Sequence, residues 1–285
     1  MPTLKSLLHK EKSNLMSQIA VKKPNQKKAG INGLGLIVIA INLVIGICFY
    51  VFVCGNPNNF TEDGHPKPGN YLAIVHEGGF IVPALFALFL TVIVFAIERF
   101  MTISKAKGSG SVESFLQKVK YHLTNHDIDS AIKECDKQKG SVANVVNAGL
   151  HKYSEMKNDK ESTMEQKVLN ISKEIEEATA LEMPALEKHL PILATIASIG
   201  TLIALLGTVL GMIRAFAALA TAGTPDPGAL SAGISEALVN TAIGIATSAF
   251  AIIFYNLFTG MIDKLTYGID EVGFTITQTF AATEK

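Results

Sequence analysis

The sequence predicts an all-α, polytopic membrane protein with four transmembrane helices and a helical cytoplasmic domain. Four long stretches of the 285-residue chain carry no Asp, Glu, Lys or Arg, and they lie at 29–61, 78–97, 190–213 and 237–262. A helix needs roughly 20 apolar residues to cross the hydrocarbon core of a bilayer. The composition agrees, since 48% of the residues are hydrophobic and 18% are charged. Four such windows in one chain disfavour a set of buried helices in a soluble protein.

Charge and motif content exclude several other classes of protein. The 25 Lys and Arg residues balance 25 Asp and Glu residues, so the chain lacks the basic footprint with which proteins neutralise nucleic-acid phosphates. The three cysteines form no CxxC pair, the seven histidines are scattered, and no HExxH, GxSxG or Walker sequence occurs. We therefore expect no catalytic residue, no metal site and no cofactor, and we interpret the protein as non-enzymatic.

The N-terminal arm and the first apolar stretch predict a retained membrane anchor. Residues 1–28 carry seven Lys and one acid, Glu11, which is a long n-region for a signal peptide, and no small-x-small cleavage site stands near Cys54. Lys and Arg concentrate on the cytoplasmic side of membrane proteins. The arm is therefore predicted to be cytoplasmic, and four crossings make the C-terminus cytoplasmic too.

The loops complete the predicted topology. The loop after the first span has one basic residue, Lys67, and the loop after the third span has none, so both are predicted to face the periplasm. The predicted segments are a basic cytoplasmic arm (1–30), an extra N-terminal transmembrane helix (31–54), a periplasmic loop (55–79), a transmembrane helix (80–98), a cytoplasmic helical domain (99–189), a pore-lining transmembrane helix (190–219), a periplasmic loop (220–232), a second pore-lining transmembrane helix (233–260) and a cytoplasmic tail (261–285).

Two helical regions are predicted between the second and third spans. The first covers 112–146, with Ser111 as its N-cap and a break at 126–129 that makes it a helical hairpin. The second is predicted to continue, with kinks at Pro184 and Pro191, into the third span. Its apolar stripe has three- and four-residue spacing and comprises Met164, Val168, Ile171, Ile175, Ala178 and Leu181. The stripe serves either a collar between neighbouring subunits or a bundle within one subunit.

Polar and small residues interrupt the third span. Thr201 and Thr208 are seven residues apart and share one helix face, and Gly200, Gly207 and Gly211 share a neighbouring face. Small residues let helix backbones approach closely in lipid, so we interpret the glycines as helix-packing positions. Two interpretations of Thr208 stay open, because a threonine can line a pore or bond back to its own helix.

The fourth span carries a ladder of polar side chains. At 100° per residue, Glu236, Asn240 and Thr247 fall within about 40° of one another, and Thr241 and Ser248 form a second line about 100° away. A first-turn carboxylate can simply complement the helix dipole. The polar residues behind Glu236 favour instead a helix face that contacts water or a partner and lines a path for protons or small cations.

Two sequence cores mark these spans. The third contains Leu206-Gly207-Thr208-Val209, then Gly211-Met212-Ile213 and Phe216, and the fourth contains Gly233-Ile234-Ser235-Glu236-Ala237-Leu238, then Thr241-Ala242-Ile243-Gly244 and Tyr255-Asn256. Together they resemble the ExbB/TolQ/MotA proton-channel family, and most of all its ExbB branch. The resemblance is strongest over 190–256. It is weaker over 79–99, where Ile97-Glu98-Arg99-Phe100 is similar to the end of that family's first span.

The resemblance implies a function, partners and site residues. It implies a ring-forming subunit, as a homopentamer in the bacterial inner membrane, that surrounds the helices of an ExbD- or TolR-like single-span protein with a membrane Asp. Proton-motive force would then energise a TonB-like protein and transport across the outer membrane. Pore positions carry over to Thr208 and Thr241, and the acid near the channel mouth carries over to Glu236. The complete predicted ion pathway is Thr208, Thr241, Glu236, Asn240, Thr201 and Ser248.

Two departures from the family pattern keep further interpretations open. The run from Thr201 to Val209 lacks the family's usual proline, which removes a kink, and the first span is extra to the three of ExbB and TolQ. The competing interpretations are a flagellar or gliding-type stator subunit, a TolQ-like envelope motor, and a structural membrane scaffold without ion flux. We place the extra helix on the lipid side, and the sequence leaves the choice of proton or sodium open.

Overall fold

The computed structural model describes residues 33–62, 65–221 and 227–283, and this part of the chain is built from helices. An isolated antiparallel bridge joins Phe60 and Pro66, and no strand occurs among the described residues. Four helical segments are long and apolar enough to cross a membrane. The predicted fold class of an all-α protein with four spans is therefore confirmed. The predicted N-terminal arm lies outside the described residues, as do residues 31–32, 63–64, 222–226 of the predicted loop after the third span, and 284–285.

The α-helices are numbered in chain order. They are α1 (Gly33–Cys48), α2 (Tyr71–Glu77), α3 (Val82–Lys107), α4 (Val112–Thr124), α5 (Ile128–Gln138), α6 (Gly140–Asn158), α7 (Met164–Glu187), α8 (Leu190–Thr221) and α9 (Pro227–Thr283). A π-helical segment, Phe49–Cys54, continues α1, and short 3₁₀ turns at Pro57–Asn59 and Gly79–Ile81 precede α2 and α3. We call the end of the spans nearest α2 the loop end, and the opposite end, nearest α4 to α7, the domain end.

The extra first span packs against α3 through a polar contact. The amide of Asn42 donates to the Thr91 hydroxyl at 3.1 Å, and this hydroxyl donates to the Ala87 carbonyl at 2.7 Å. Both side chains are buried, and hydrogen bonds between buried polar groups hold membrane helices together because lipid offers no other partner. Most of the first span is otherwise open in the single chain, since 11% of its most apolar window is buried; its position on the lipid side stays a prediction.

Small residues allow α8 and α9 to pack as a close antiparallel pair. A Cβ atom added at Gly211 would lie 2.8 Å from both the Ala237 nitrogen and the Gly233 carbonyl, and one at Gly244 would overlap the Ala204 Cβ. These contacts are closer than ordinary van der Waals distance, so the two backbones have no room for a larger residue. The close approach places the polar residues of α8 and α9 opposite one another.

The helical domain forms a bundle with the last third of α9. Helices α4, α6 and α7 all contact α9. The inner face of α9 is buried at Leu265, Ile269, Val272, Ile276 and Phe280. The segment from residue 261 onward, predicted as a tail, is thus a continuation of the fourth span, because its apolar residues keep the three- and four-residue spacing of a helix.

The apolar stripe of α7 is partly buried within the chain. Ile171 and Ile175 are buried, and Ile175 fits between α6 and α9, where Cβ atoms added at Gly149 and Gly273 would come within 2.7 and 3.2 Å of its side chain. Leu181, at the end of the stripe, is 82% exposed. The first part of the stripe therefore belongs to an intramolecular bundle.

The N-terminal half of the domain follows the sequence prediction with one addition. The Ser111 hydroxyl caps α4 by accepting from the Ser114 amide at 3.4 Å, and the predicted break falls between α4 and α5. A second break at Lys139, which has a φ of +57°, separates α5 from α6. The sequence did not predict this break because Lys139 carries no turn signal of its own, although Gly140 follows it.

A two-residue turn at 188–189 separates α7 from α8. Pro184 lies inside α7 and Pro191 lies in the first turn of α8. Arg99 of α3 is buried and donates to the carbonyls of Ala185 and Leu186 at 3.0 and 2.9 Å. These carbonyls belong to the last turn of α7, whose carbonyl groups have no partner within the helix. The turn is therefore covered by a side chain of α3.

The carboxylate beside Arg99 completes this cluster. Glu98 is bonded to the Arg99 guanidinium and lies 2.9 Å from Nδ1 of His189, which is itself the second residue of the turn. The imidazole of His189 also packs on the Phe95 ring, at a centroid distance of 4.7 Å. The end of the second span, the domain and the start of the third span are thus joined at one point.

Candidate ion pathway

The hydroxyl groups of Thr208 and Thr241 meet midway along the α8–α9 contact. They are hydrogen-bonded to each other, and both residues are half-buried in the single chain. Thr208 lies between two residues that pack on α9, Gly207 and Gly211, so the close approach of the helices brings its side chain to α9. The structure therefore brings together two positions that the sequence places 33 residues apart.

The two hydroxyl groups have more oxygen acceptors within reach than they have protons to donate. Thr208 Oγ1 lies 3.1 Å from the Ala204 carbonyl and 3.4 Å from the Ala237 carbonyl, and Thr241 Oγ1 lies 2.9 Å from that same Ala237 carbonyl. Each hydroxyl has one proton to donate and can accept as well. The pair can consequently rotate between backbone carbonyls, each other and an incoming group, without leaving a buried polar atom unpaired. Thr208 thus bonds to its own helix and also meets its partner threonine.

Glu236 lies at the loop end of α9, where it forms an ion pair with Arg214 of α8. Nη1 of Arg214 donates to the two carboxylate oxygens at 2.6 and 2.8 Å. Glu236 is buried, whereas the Arg214 side chain is 53% exposed. An unpaired charge is costly to bury, and a charged partner offsets this cost. The contact with Arg214 therefore offsets part of the cost of burying Glu236.

The segment before α3 encloses this ion pair. Gly79 has a φ of +73°, and a Cβ atom there would lie 2.5 Å from Oε1 of Glu236, so the site requires glycine for both space and backbone conformation. The next residue, Phe80, presents its ring to the Arg214 guanidinium at 5.4 Å, a distance at which a cation is attracted to an aromatic face.

Two further hydrogen bonds fix the same segment to α9. The amide of Asn240 donates to the Gly78 carbonyl at 2.9 Å, and the Ser235 hydroxyl donates to the Glu77 carboxylate at 3.0 Å. Asn240 is fully buried, and its side-chain oxygen has no hydrogen-bond partner among the described residues. Asn240 thus joins α9 to the second span.

The remaining predicted pathway residues separate into two groups. Ser248 is buried within the chain, where a Cβ atom at Gly200 would lie 2.6 Å from its hydroxyl. Thr201 is exposed and donates to the Ser198 carbonyl of its own helix at 2.9 Å. By burial, the polar ladder therefore divides into buried residues, Asn240, Thr247 and Ser248, and more exposed ones, Thr208, Thr241 and Thr201. The role of each residue in ion flow stays a prediction.

Arg214 is the residue of this site that the sequence did not predict. It directly follows the uncharged window that ends at residue 213, so it resembles the boundary of a span. The signal that could have found it is the short connection between α8 and α9. Antiparallel helices joined by a short connection bring residues at similar distances from it together, and Arg214 and Glu236 meet in this way.

Comparison with known proteins agrees with this geometry. Residues 137–271 match the model of the MotA/TolQ/ExbB proton channel family. The chain is 30% identical over 146 residues to the Tol-Pal system protein TolQ of Pseudomonas aeruginosa, covering 50% of this chain and 57% of that protein. It is 35% identical over 89 residues to the biopolymer transport protein ExbB-like 3 of Synechocystis, covering 30% of this chain and 42% of that protein.

A longer match extends over more of the chain at lower identity. The chain is 24% identical over 195 residues to a biopolymer transport protein ExbB homolog of Methanothermobacter thermautotrophicus, which covers 68% of this chain and 65% of that protein. The chain spans about half the length of the Synechocystis and Pseudomonas relatives, at 42% and 57%.

Within the described part of the chain, four helices are long and apolar enough to span a membrane, and polar side chains meet between α8 and α9. Residues 137–271 are similar to the MotA/TolQ/ExbB proton channel family, which agrees with the resemblance seen in the membrane-spanning sequence. The matched region contains α6 to α8 and most of α9, and so includes both threonines and the Arg214–Glu236 pair.

Proposed function

We propose that this protein is a ring-forming, non-enzymatic subunit of an ExbB-type motor driven by the proton-motive force. The observation that carries the proposal is the Thr208–Thr241 hydroxyl pair on a half-buried surface of α8 and α9. Hydroxyl groups that can re-orient between acceptors provide hydrogen-bonding sites across an apolar core, as proton and small-cation paths require. The family match supports the same function.

The proposed assembly is a homopentamer around partner helices. The uncharged window at 237–262 leaves the membrane-spanning part of α9 without a carboxylate, and Glu236 lies just before this window, paired with Arg214. The titrating carboxylate is therefore proposed to come from an ExbD- or TolR-like single-span protein with a membrane Asp. A TonB-like protein would receive the motion, and lipids of the bacterial inner membrane would surround the outward apolar faces.

The proposed orientation places both termini and the helical domain in the cytoplasm. The seven lysines of residues 1–28 support it, because basic residues next to a span are retained on the cytoplasmic side. The loop end would then face the periplasm. A cysteine placed at the exposed Lys105, with the native cysteines replaced, should react with an impermeant thiol reagent only after the inner membrane is opened. Labelling in intact cells would reverse the proposed orientation.

Valine substitutions at the threonine pair test the proposed pathway. Thr208→Val and Thr241→Val keep the side-chain shape and remove the hydroxyl, so proton flux through the complex with its partner should fall at least about tenfold, as is typical when one positioned polar group is lost. Thr208→Ser keeps a hydroxyl and should retain flux. Thr195→Val is a matched control, since this exposed threonine of α8 donates to the Pro191 carbonyl of its own helix at 2.7 Å.

The flux is measured with a pH-sensitive dye in vesicles that contain equal amounts of each variant. If Thr208→Val and Thr241→Val both retain full flux, the pathway assignment is wrong and a scaffold without ion flux becomes the better interpretation. Copurification tests the assembly: a single-span protein with one membrane Asp and a pentameric ring mass support the proposal. A monomer in mild detergent argues against it, and uptake or envelope phenotypes distinguish ExbB-, TolQ- and stator-type clients.

A further inference from the structure

We propose that Arg214 is a positioning residue that locks Glu236 in a closed ion pair at the loop end of the pathway. In this arrangement the carboxylate becomes available to a cation or to a charged group of a partner only when Arg214 swings away. The inference rests on the proposed function for its place in ion flow. The contacts that carry it are those of the ion pair and of the segment around Gly79.

The two members of the pair differ in their access to the surroundings. Glu236 has a side-chain exposure of 7%, and Arg214 has one of 53%. A single nitrogen, Nη1 of Arg214, makes both contacts with the carboxylate, at 2.6 and 2.8 Å. The other two nitrogens of the guanidinium take no part in this pair. Arg214 is therefore the member that can leave while Glu236 stays in place.

The surroundings hold Glu236 more firmly than Arg214. The backbone at Gly79 lies so close that a Cβ atom there would be 2.5 Å from Oε1 of Glu236. One turn further along α9, Asn240 is anchored to the Gly78 carbonyl. On the other side, the Arg214 guanidinium lies over the face of Phe80, at 5.4 Å, a contact that attracts a cation without fixing its orientation.

Within the described part of the chain, Glu236 forms a salt bridge with one cation. This cation is Arg214, which forms the ion pair, while the neighbouring acid Glu77 accepts from the Ser235 hydroxyl at 3.0 Å. A buried carboxylate that loses its partner takes up a proton or another cation, because an unpaired charge is too costly at such a position. Removing Arg214 should therefore convert Glu236 from an ion-paired carboxyl group to an unpaired one.

Labelling with dicyclohexylcarbodiimide reports this conversion directly. The reagent enters lipid, adds to protonated carboxyl groups, and leaves ion-paired carboxylates unmodified. Purified full-length protein in lipid vesicles, without any partner, is treated at neutral pH, and the modification of Glu236 is measured by peptide mass spectrometry. Arg214→Gln should raise labelling of Glu236 at least about tenfold over the unchanged protein, since its ion pair is lost.

Three further variants make the result specific. Arg214→Lys retains the positive charge and should restore low labelling, which a merely structural role of the arginine would not predict. Glu236→Gln removes the labelled group and gives the background. The double variant Arg214→Gln with Glu236→Gln leaves a neutral, similarly shaped pair, and it controls for folding because it should assemble like the unchanged protein.

The outcomes separate this inference from the proposed function. Equal labelling of Glu236 with and without Arg214, in folded protein, contradicts the proposal that Arg214 holds Glu236 in a closed ion pair. This conclusion holds even if proton flux with the partner is normal. Raised labelling with Arg214→Gln supports the lock, even if no complex conducts protons, in which case the proposed function fails instead. If both hold, Arg214→Gln should also raise the passive proton leak of the vesicles, and Glu236→Gln should suppress that increase.

Discussion

Cys135 lies in α5 of the helical domain and is 3% exposed. Burial raises the pKa of this thiol to about 12, and the neighbouring acid Asp136 acts in the same direction. A raised pKa keeps the group in its neutral thiol form over the physiological range, and the thiolate is the reactive species. Cys135 therefore serves as a small apolar side chain of the core.

Thiol labelling tests this role of Cys135. In a chain with Cys48→Ser and Cys54→Ala, N-ethylmaleimide at about pH 8 should modify Cys135 more than about a hundredfold more slowly than an exposed thiol, because burial suppresses both thiolate and access. The matched control places the only cysteine at Lys133, an exposed position of the same helix. Denaturant should remove the difference in labelling rate. Rapid labelling of Cys135 in the native protein would show that the helices around it separate.

A site residue could be predicted from the sequence where the residue type and its position within one span were enough to identify it. Thr208, Thr241 and Glu236 follow from polar types within apolar spans, since such residues are costly in lipid unless they have a partner. Their partners across the α8–α9 contact were not predictable, because the sequence of one helix does not specify its register against another. The bonds of Asn240 to Gly78 and of Glu236 to Arg214 depend on the way the helices pack.

At the scale of elements, glycine residues leave the space that lets α8 and α9 come into close contact. Gly211 and Gly244 face the partner helix with no room for a Cβ atom, whereas a Cβ atom at Gly260 of α9 would have nothing within 4 Å. The small-xxx-small pattern at Gly207 and Gly211 predicts close packing but not the partner helix. Packing of this kind replaces the hydrophobic effect, which does not drive helices together inside lipid.

Alanine substitutions distinguish packing glycines from neutral ones. Gly244→Ala should lower the free energy of unfolding by about 1–3 kcal/mol, because the added methyl group overlaps Ala204 and forces the backbones apart. Gly260→Ala in the same helix should be neutral or stabilising by up to about 1 kcal/mol, since alanine is the better helix former. Thermal unfolding in detergent measures both, and equal stability of the two variants would show that the close packing is not required.

The whole molecule is organised by α9, which has 57 residues and is therefore about 86 Å long. A hydrocarbon core takes up roughly 30 Å of this length, so the same helix serves as a membrane span and as the centre of the helical domain. The spans were predictable from the uncharged windows. The continuation was not, because charged residues such as Asp263 and Lys264 end the window although the helix goes on.

Two substitutions on this continuation test its role in the domain. Phe280 is fully buried and meets the Tyr153 ring edge-to-face at 4.8 Å, so Phe280→Ala should cost about 3–5 kcal/mol of domain stability. Tyr267→Ala changes a side chain that is 71% exposed and should alter it by less than about 0.5 kcal/mol. Limited trypsin digestion at the lysines of α4 to α6 measures the difference. Equal resistance of both variants would mean that the domain is stable without α9.

The turn at 188–189 connects the helical domain to the third span. A break between two helices ordinarily acts as a joint, because backbone hydrogen bonds no longer cross it. Here Arg99 donates hydrogen bonds to the Ala185 and Leu186 carbonyls on one side of the break. Glu98 is hydrogen-bonded to His189 within the break. A change in the angle between α7 and α8 would therefore have to break hydrogen bonds to α3 both before the turn and within it.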